Sequence, residues 1–320
     1  MPQVKDFIAA CLFTACFVIT SYCSQKTVSD SSSVPGVFEA STPCDEVTKK
    51  MLGIPPDTKC EWMKWNLTLN YDQKTLAPST YKLICEYGLP KQGTRDFMDG
   101  AKTKEFKGKW TISKGIAGSA AAVIYKLTSD SSSVLLSFLN PDQNLLHLLD
   151  ENNHLMIGNG AWSYTLNRVK PITTSSTNLA THSNPSPRIA TDSTTVGNFD
   201  GRMPCNNALL ALNQISSSGC NIIKCRLTLF QDPKTHSPTI FVLYTIYVGK
   251  GDTRYTTTGK WKVTQGTKTD SKAIVYQLAP DKHAGSLTFL KADDNILFFL
   301  DKDWNFLVGN NYVSYTLNRN

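Results

Sequence analysis

Apolar and polar positions alternate in short runs along most of the chain, which is the pattern of half-buried β-strands. Trp65, Leu67 and Leu69, for example, alternate with polar Asn66 and Thr68. Similar runs occupy residues 81–87, 106–112, 122–127, 134–139, 145–149, 154–157 and 162–166, with turn residues between them. We expect about eight strands in each half of the chain, and closure into a small barrel would remove their exposed edges. An open sandwich is the alternative architecture.

The all-β pattern is interrupted by two possible short helices, and it contains candidate tight turns. The stretches 45–52 and 208–214 are each expected to form a short helix or an ordered loop. The Asn-Gly pair at 159–160 predicts a tight hairpin turn, because these residues adopt positive φ easily. The Asn-Asn pair at 310–311 can adopt the same backbone conformation.

The two halves of the chain repeat one another. The sequence Gly-Lys-Trp at 108–110 recurs at 259–261, which is 151 residues later. The hexapeptide SYTLNR at 163–168 recurs unchanged at 314–319 with the same spacing. No gap is needed across this half of the repeat, so the chain contains an internal duplication.

The duplication defines the domain organisation. Residues 36–168 and 197–320 form the two copies, and each is long enough to bury a core of its own. Residues 169–196 are rich in Ser, Thr, Asn and Pro, which is typical of a linker. The predicted fold is therefore all-β, with two tandem small antiparallel β-barrels joined by a polar linker.

The first residues have the features of an export signal. Lys5 precedes an apolar run at residues 7–19, which is too short for a membrane-spanning helix. Cys23 follows this run, as in lipoprotein signals, where the cysteine is lipidated; Cys16 is a second candidate, and an ordinary secretory signal is the alternative. We therefore predict a lipoprotein-type signal peptide at 1–23 and a Ser/Thr-rich flexible tether at 24–35.

Each copy begins with the same ordered set of residues. In the first copy Phe38 precedes Pro43-Cys44, Cys60 follows, and a Leu-Thr-Leu strand comes at 67–69. The second copy repeats this order from Phe199 through Pro204-Cys205, Cys220 and the Leu-Thr-Leu of 227–229. This order resembles the NlpE family of envelope lipoproteins, which are named for copper homeostasis and adhesion. The resemblance implies lipocalin-like barrels and an outer-membrane location facing the periplasm or the surface. It also makes copper a possible ligand, but the residues themselves predict no cofactor.

The cysteines depart from the family pattern, in which the two are separated by only two residues. Cys44 and Cys60, like Cys205 and Cys220, are spread over a longer insertion, so they do not share one turn. A structural disulfide in each copy is the favoured interpretation, and such a loop contributes roughly 3 kcal/mol. Metal ligation and free thiols remain the alternatives.

Other candidate residues carry structural interpretations. Trp110 and Trp261 follow Gly-Lys at a strand start, and core packing is favoured over lining a ligand pocket. Asp150 and Asp301 are expected to accept hydrogen bonds from local backbone rather than act as general acids or bases. The sequence contains no familiar catalytic motif, so we expect a protein that is not an enzyme; a thiol oxidoreductase is the minor alternative.

Charge and resemblance together suggest the partners. The net charge of +7 is modest and scattered, which predicts solvated surfaces and no nucleic acid. We expect a membrane contact through the lipid anchor, with an envelope protein or a small ligand as further partner. The expected function is a non-catalytic binding or sensing role in envelope or copper homeostasis. A lipocalin-like carrier of a small apolar ligand is the alternative.

Overall fold

The structure is a computed structural model, and it describes residues 36–116, 119–170, 193–205, 209, 219–249, 251–267, 270–282 and 285–320. It is all-β and contains two closed antiparallel barrels of eight strands each, which confirms the predicted fold class. The signal and tether predicted for residues 1–35 lie outside the described residues. So does most of the linker predicted for 169–196.

Barrel 1 consists of eight strands in sequence order, closed by pairing of the last strand with the first at Phe38 and Arg168. A short helix follows the first strand, as predicted for 45–52. Its elements are β1 Gly36–Pro43, α1 Glu46–Met51, β2 Trp62–Tyr71, β3 Pro78–Gly88, β4 Lys102–Ile116, β5 Ser119–Ser129, β6 Leu135–Asp142, β7 Leu145–Leu149 and β8 Thr165–Arg168.

Barrel 2 repeats this order and closes through the equivalent pair, Phe199 and Arg319. Its first strand begins at Thr194, three residues before the predicted boundary at 197. The helix or loop predicted for 208–214 lies outside the described residues except for Leu209. The strands are β9 Thr194–Met203, β10 Ile222–Gln231, β11 Pro238–Val248, β12 Thr253–Gln265, β13 Ile274–Pro280, β14 Leu287–Lys291, β15 Ile296–Leu300 and β16 Thr316–Arg319.

Alternation of inward and outward side chains produces a separate core in each barrel. In β2, Trp65, Leu67 and Leu69 point inward and are almost fully buried, as the sequence pattern predicts. The repeated Gly-Lys-Trp motif has a steric origin at its glycine. A Cβ atom on Gly108 would clash with the carbonyl oxygen of Thr128 on the neighbouring strand. The same clash would occur at Gly259, so the close approach of two strands requires glycine in both copies.

The turn at residues 159–160 differs from the prediction. Neither Asn159 nor Gly160 has positive φ. Instead, the Asn159 side chain accepts hydrogen bonds from the backbone N–H groups of Ala161 and Trp162. Residues 154–157 also form no strand; they contribute a single bridge from Leu155 to β7. A tight turn is present, because the Asn159 N–H donates to the Trp162 carbonyl oxygen at 2.8 Å. The prediction was wrong in expecting positive φ and a two-stranded hairpin, since the asparagine side chain supplies the remaining contacts of the turn.

The repeated hexapeptide forms the contact between the two barrels. Ser163 and Ser314, which occupy equivalent positions, share a hydrogen bond of 2.6 Å between their hydroxyl oxygens. The hydroxyl oxygens of Thr165 and Thr316 are likewise 2.9 Å apart. When equivalent residues contact one another, the two surfaces are related by an approximate two-fold axis, as in a symmetric dimer.

Reciprocal hydrogen bonds to two asparagine side chains follow the same approximate two-fold symmetry. The Asn318 side chain accepts a hydrogen bond from the Gly158 N–H at 2.9 Å, and Asn167 accepts one from the Gly309 N–H at 2.7 Å. A Cβ on either glycine would collide with the backbone of its own loop. A small apolar cluster lies beside these polar contacts and includes Ile124, Leu149 and Leu155 of barrel 1 and Ile296 and Phe298 of barrel 2.

Candidate functional site

Each barrel carries one disulfide at the start of its strand order. Cys44 follows β1 and is bonded to Cys60, which precedes β2. Cys205 follows β9 and is bonded to Cys220, which precedes β10. The bond closes the long connection between the first two strands of each barrel. The structure therefore confirms the disulfide interpretation of both pairs over metal ligation and free thiols.

Two cysteines in the described part of the chain are free thiols. Cys85 in β3 and Cys225 in β10 are both buried. Burial raises the pKa of both thiols, so they stay protonated at neutral pH. Within the described residues, no three His, Cys, Asp or Glu side chains are grouped so as to hold a metal ion.

The two tryptophans named as core or pocket residues pack inside the barrels. Trp110 is 1% exposed and Trp261 is 6% exposed, and each belongs to the core of its barrel. The indole N–H of Trp110 donates to the Asn70 carbonyl oxygen at 2.8 Å, and that of Trp261 donates to the Phe230 carbonyl oxygen at 2.7 Å. The same arrangement in both copies supports a packing role for these residues.

The two predicted turn aspartates are confirmed as turn residues. A carboxylate oxygen of Asp150 accepts hydrogen bonds from the backbone N–H groups of Asn152 and His154. Asp301 does the same with the N–H groups of Asp303 and Asn305. Both carboxylates are therefore occupied by local backbone.

Two grooves lie at equivalent positions near the interface. Each groove lies on the outer face of the first three strands of one barrel, beside the loop before the last strand of the other barrel. The first groove, on barrel 1, has a volume of about 390 Å³ and reaches Tyr312 of barrel 2. The second groove, on barrel 2, has a volume of about 440 Å³ and reaches Gly160 of barrel 1.

Polar and charged side chains that line the first groove have hydrogen-bond or aromatic partners within the protein. The Asn66 side chain donates to the Glu39 carboxylate at 2.8 Å, and the Ser41 hydroxyl donates to the carbonyl oxygen of Asn311 at 3.0 Å. Lys64 lies over the rings of Trp62 and Phe97, at 5.2 and 5.0 Å from their centroids. Such contacts stabilise a cation without a carboxylate.

The second groove has a different charge pattern. Arg226 and Asp200 form a two-pronged ion pair with both N–O distances at 2.7 Å. Arg202 and Lys224 also line this groove, but neither side chain has a hydrogen-bond or ion-pair partner among the described residues. The Nε atom of Arg202 is buried and has no hydrogen-bond acceptor in the part of the chain that the structure describes. The second groove therefore carries two uncompensated cations.

A buried histidine at the barrel interface is a further unusual group. His147 is fully buried, its Nε2 lies 3.0 Å from the Met156 carbonyl oxygen, and its Nδ1 lies 2.9 Å from the Thr165 hydroxyl. Because a carbonyl oxygen only accepts, Nε2 carries the proton and Nδ1 accepts from Thr165. Thr316 must then donate to Thr165. Burial lowers the pKa of His147 to about 4, so the ring is neutral at pH 7.

Together, the fold and grooves define a class: a protein of two disulfide-bonded barrels paired about an approximate two-fold axis, with a groove on the outer face of each barrel. No family model, curated protein or solved structure matches this chain. No helix in the described part of the chain is long and apolar enough to cross a membrane. Cys23, which the sequence predicts to be the lipidated residue, lies outside the described residues.

Sequence reasoning missed both grooves and the interface. The unchanged hexapeptide was the available signal for the interface, because identical residues on both sides are what a two-fold contact requires. The cations of the second groove gave no such signal. Arg202 and Lys224 are far apart in sequence, and only the register of β9 with β10 places them opposite one another.

Proposed function

We propose that this chain is an exported, non-catalytic binding or sensing lipoprotein of the cell envelope, anchored in the outer membrane through Cys23. The single observation that supports it best is the disulfide in each barrel. Disulfides persist in oxidising compartments such as the periplasm or cell surface. The proposal also uses the resemblance to NlpE in the residues around Cys44 and Cys205.

The proposal places binding on the outer grooves rather than inside the barrels. The inward-facing side chains of each barrel pack into one cluster that includes large aromatic residues: Phe38, Trp65 and Trp110 in barrel 1, Phe199, Phe241 and Phe289 in barrel 2. An apolar carrier needs interior space, so we favour the envelope role over the carrier role. A copper-related role rests on the family resemblance only, because four cysteines are held in disulfides.

Labelling cells with a clickable fatty-acid analogue tests the anchor. We expect label on the wild-type protein and on Cys16→Ser, which serves as the matched control, and no label on Cys23→Ser. The wild-type protein should also fractionate with the outer membrane. Absence of label from the wild-type protein, or label retained by Cys23→Ser, would refute the proposed anchoring.

A further inference from the structure

The outer face of β9, β10 and β11 forms the floor of the second groove. Strand pairing places Arg202 opposite Lys224, and Lys224 opposite Ile246, in one row across the three strands. In this row two cations are direct cross-strand neighbours. Like charges in this arrangement are destabilising, because their side chains leave the sheet about 5 Å apart.

The adjacent row shows how the same strands balance charge. It contains Asp200, Arg226 and Tyr244, and its arginine is held by the aspartate. The Asp200 carboxylate also accepts a hydrogen bond from the Asn320 side chain at 2.9 Å. This carboxylate is therefore engaged, and it does not neutralise the cations of the first row.

Barrel 1 shows that the fold does not require this cation pair. The equivalent row there is Ser41, Lys64 and Glu86. The serine is hydrogen-bonded to the other barrel, and the lysine lies over two aromatic rings. The lysine is thus common to both barrels, whereas barrel 2 has an arginine in place of the serine and an isoleucine in place of the glutamate.

We propose that the second groove binds a small organic anion, with a phosphate or carboxylate group between Arg202 and Lys224. The planar guanidinium of arginine suits a two-oxygen anion. Tyr244 and Ile246 line the same groove and contact the body of the ligand. A groove of about 440 Å³ is of the size that small-molecule sites have. This inference rests on the proposed binding role but not on the membrane anchor.

Calorimetric titration of the full-length chain carrying Cys23→Ser tests this site. The probes are phenyl phosphate, benzoate, inorganic phosphate and benzyl alcohol, a neutral compound with the same ring. We expect saturable one-site binding of phenyl phosphate or benzoate, weaker binding of inorganic phosphate, and none of benzyl alcohol. Tighter binding of phenyl phosphate would indicate a phosphate head group, and tighter binding of benzoate would indicate a carboxylate.

Variants locate the site. Arg202→Ser, which installs the residue of barrel 1, is expected to weaken binding by about tenfold or more, because it removes a charge-assisted hydrogen bond. Ser41→Ala in the first groove is the matched control and should leave binding unchanged. Ile246→Glu should abolish binding while preserving the melting temperature, because its carboxylate would occupy the cation pair as an internal anion.

Two results would overturn the inference: no saturable binding of either ring-bearing anion, or equal loss of binding in Arg202→Ser and Ser41→Ala. Either result would leave the fatty-acid label on Cys23 in place, so failure of this site is distinguishable from failure of the proposed anchoring. Conversely, absence of fatty-acid label from the wild-type protein, together with binding of phenyl phosphate, would support the anion site and refute the proposed lipid anchor.

Discussion

The two barrels match closely in their last strand but differ on the outer face of their first three strands. The hexapeptide at 163–168 is identical to that at 314–319, and it forms the inter-barrel contact. The outer faces share a lysine, Lys64 or Lys224, but differ at its neighbours. The identity therefore lies in the strand through which the copies touch each other, and the differences lie on the outer faces that line the grooves.

The barrel interiors show a second kind of difference, in which several residues change together. Trp65 in barrel 1 donates its indole N–H to the Thr42 hydroxyl at 2.8 Å and contacts Phe138. By strand register, barrel 2 has Cys225 at the position of Trp65, and Met203 and Phe299 in place of Thr42 and Leu148. Larger side chains elsewhere thus offset the smaller one, which preserves a filled core.

Trp65→Cys in barrel 1 should have the largest effect. Removing this buried ring leaves a cavity, and we expect the free energy of unfolding to fall by about 4 kcal/mol. The triple variant Trp65→Cys, Thr42→Met, Leu148→Phe should recover most of that loss. Denaturant unfolding measures both. If the triple variant is no more stable than Trp65→Cys, the compensation account is wrong.

His147 should add a pH-dependent contribution to stability that has no counterpart at the equivalent position of barrel 2, which is Phe298. Its pKa is about 4 when folded and near 6.5 when unfolded, so the unfolded chain binds more protons between these values. The contribution of His147 to the free energy of unfolding should therefore fall by about 3 kcal/mol as pH drops from 6.5 to 4.

The control for this pH effect is His147→Phe, the residue of barrel 2. Urea unfolding at several pH values should show a shallower dependence in the variant than in the wild type over the same range. Identical pH dependence in the two proteins would mean that His147 is not held neutral at the interface.

Strand positions and the duplication were predictable because they follow from side-chain alternation and from identity at a fixed spacing. The turn at Asn159 was not, since its conformation depends on a side chain that bonds to backbone two and three residues later. The grooves were not predictable either. Arg202 and Lys224 become neighbours through strand register, and the groove wall comes from the other barrel.

A smaller effect should come from Gly158→Ala at the interface loop. The added Cβ would meet the Trp162 carbonyl oxygen and the Asn318 side chain, so the loop must shift. We expect a loss of about 2 kcal/mol in thermal or urea unfolding, within the usual range for overpacking. Gly160→Ala is the matched control, because its Cβ would find only ordinary contacts with Asp200 at 3.7 and 3.8 Å. Equal effects of the two substitutions would contradict the close approach at Gly158.

Pairing of the barrels through equivalent residues is tested most directly by Ser163→Cys with Ser314→Cys, whose oxygens are 2.6 Å apart. A specific protease site inserted between residues 171 and 192 would separate the halves after oxidative folding. Our account predicts that the cleaved double variant runs as one covalent species on a non-reducing gel, whereas each single variant runs as two fragments. Two fragments from the double variant would contradict the two-fold contact.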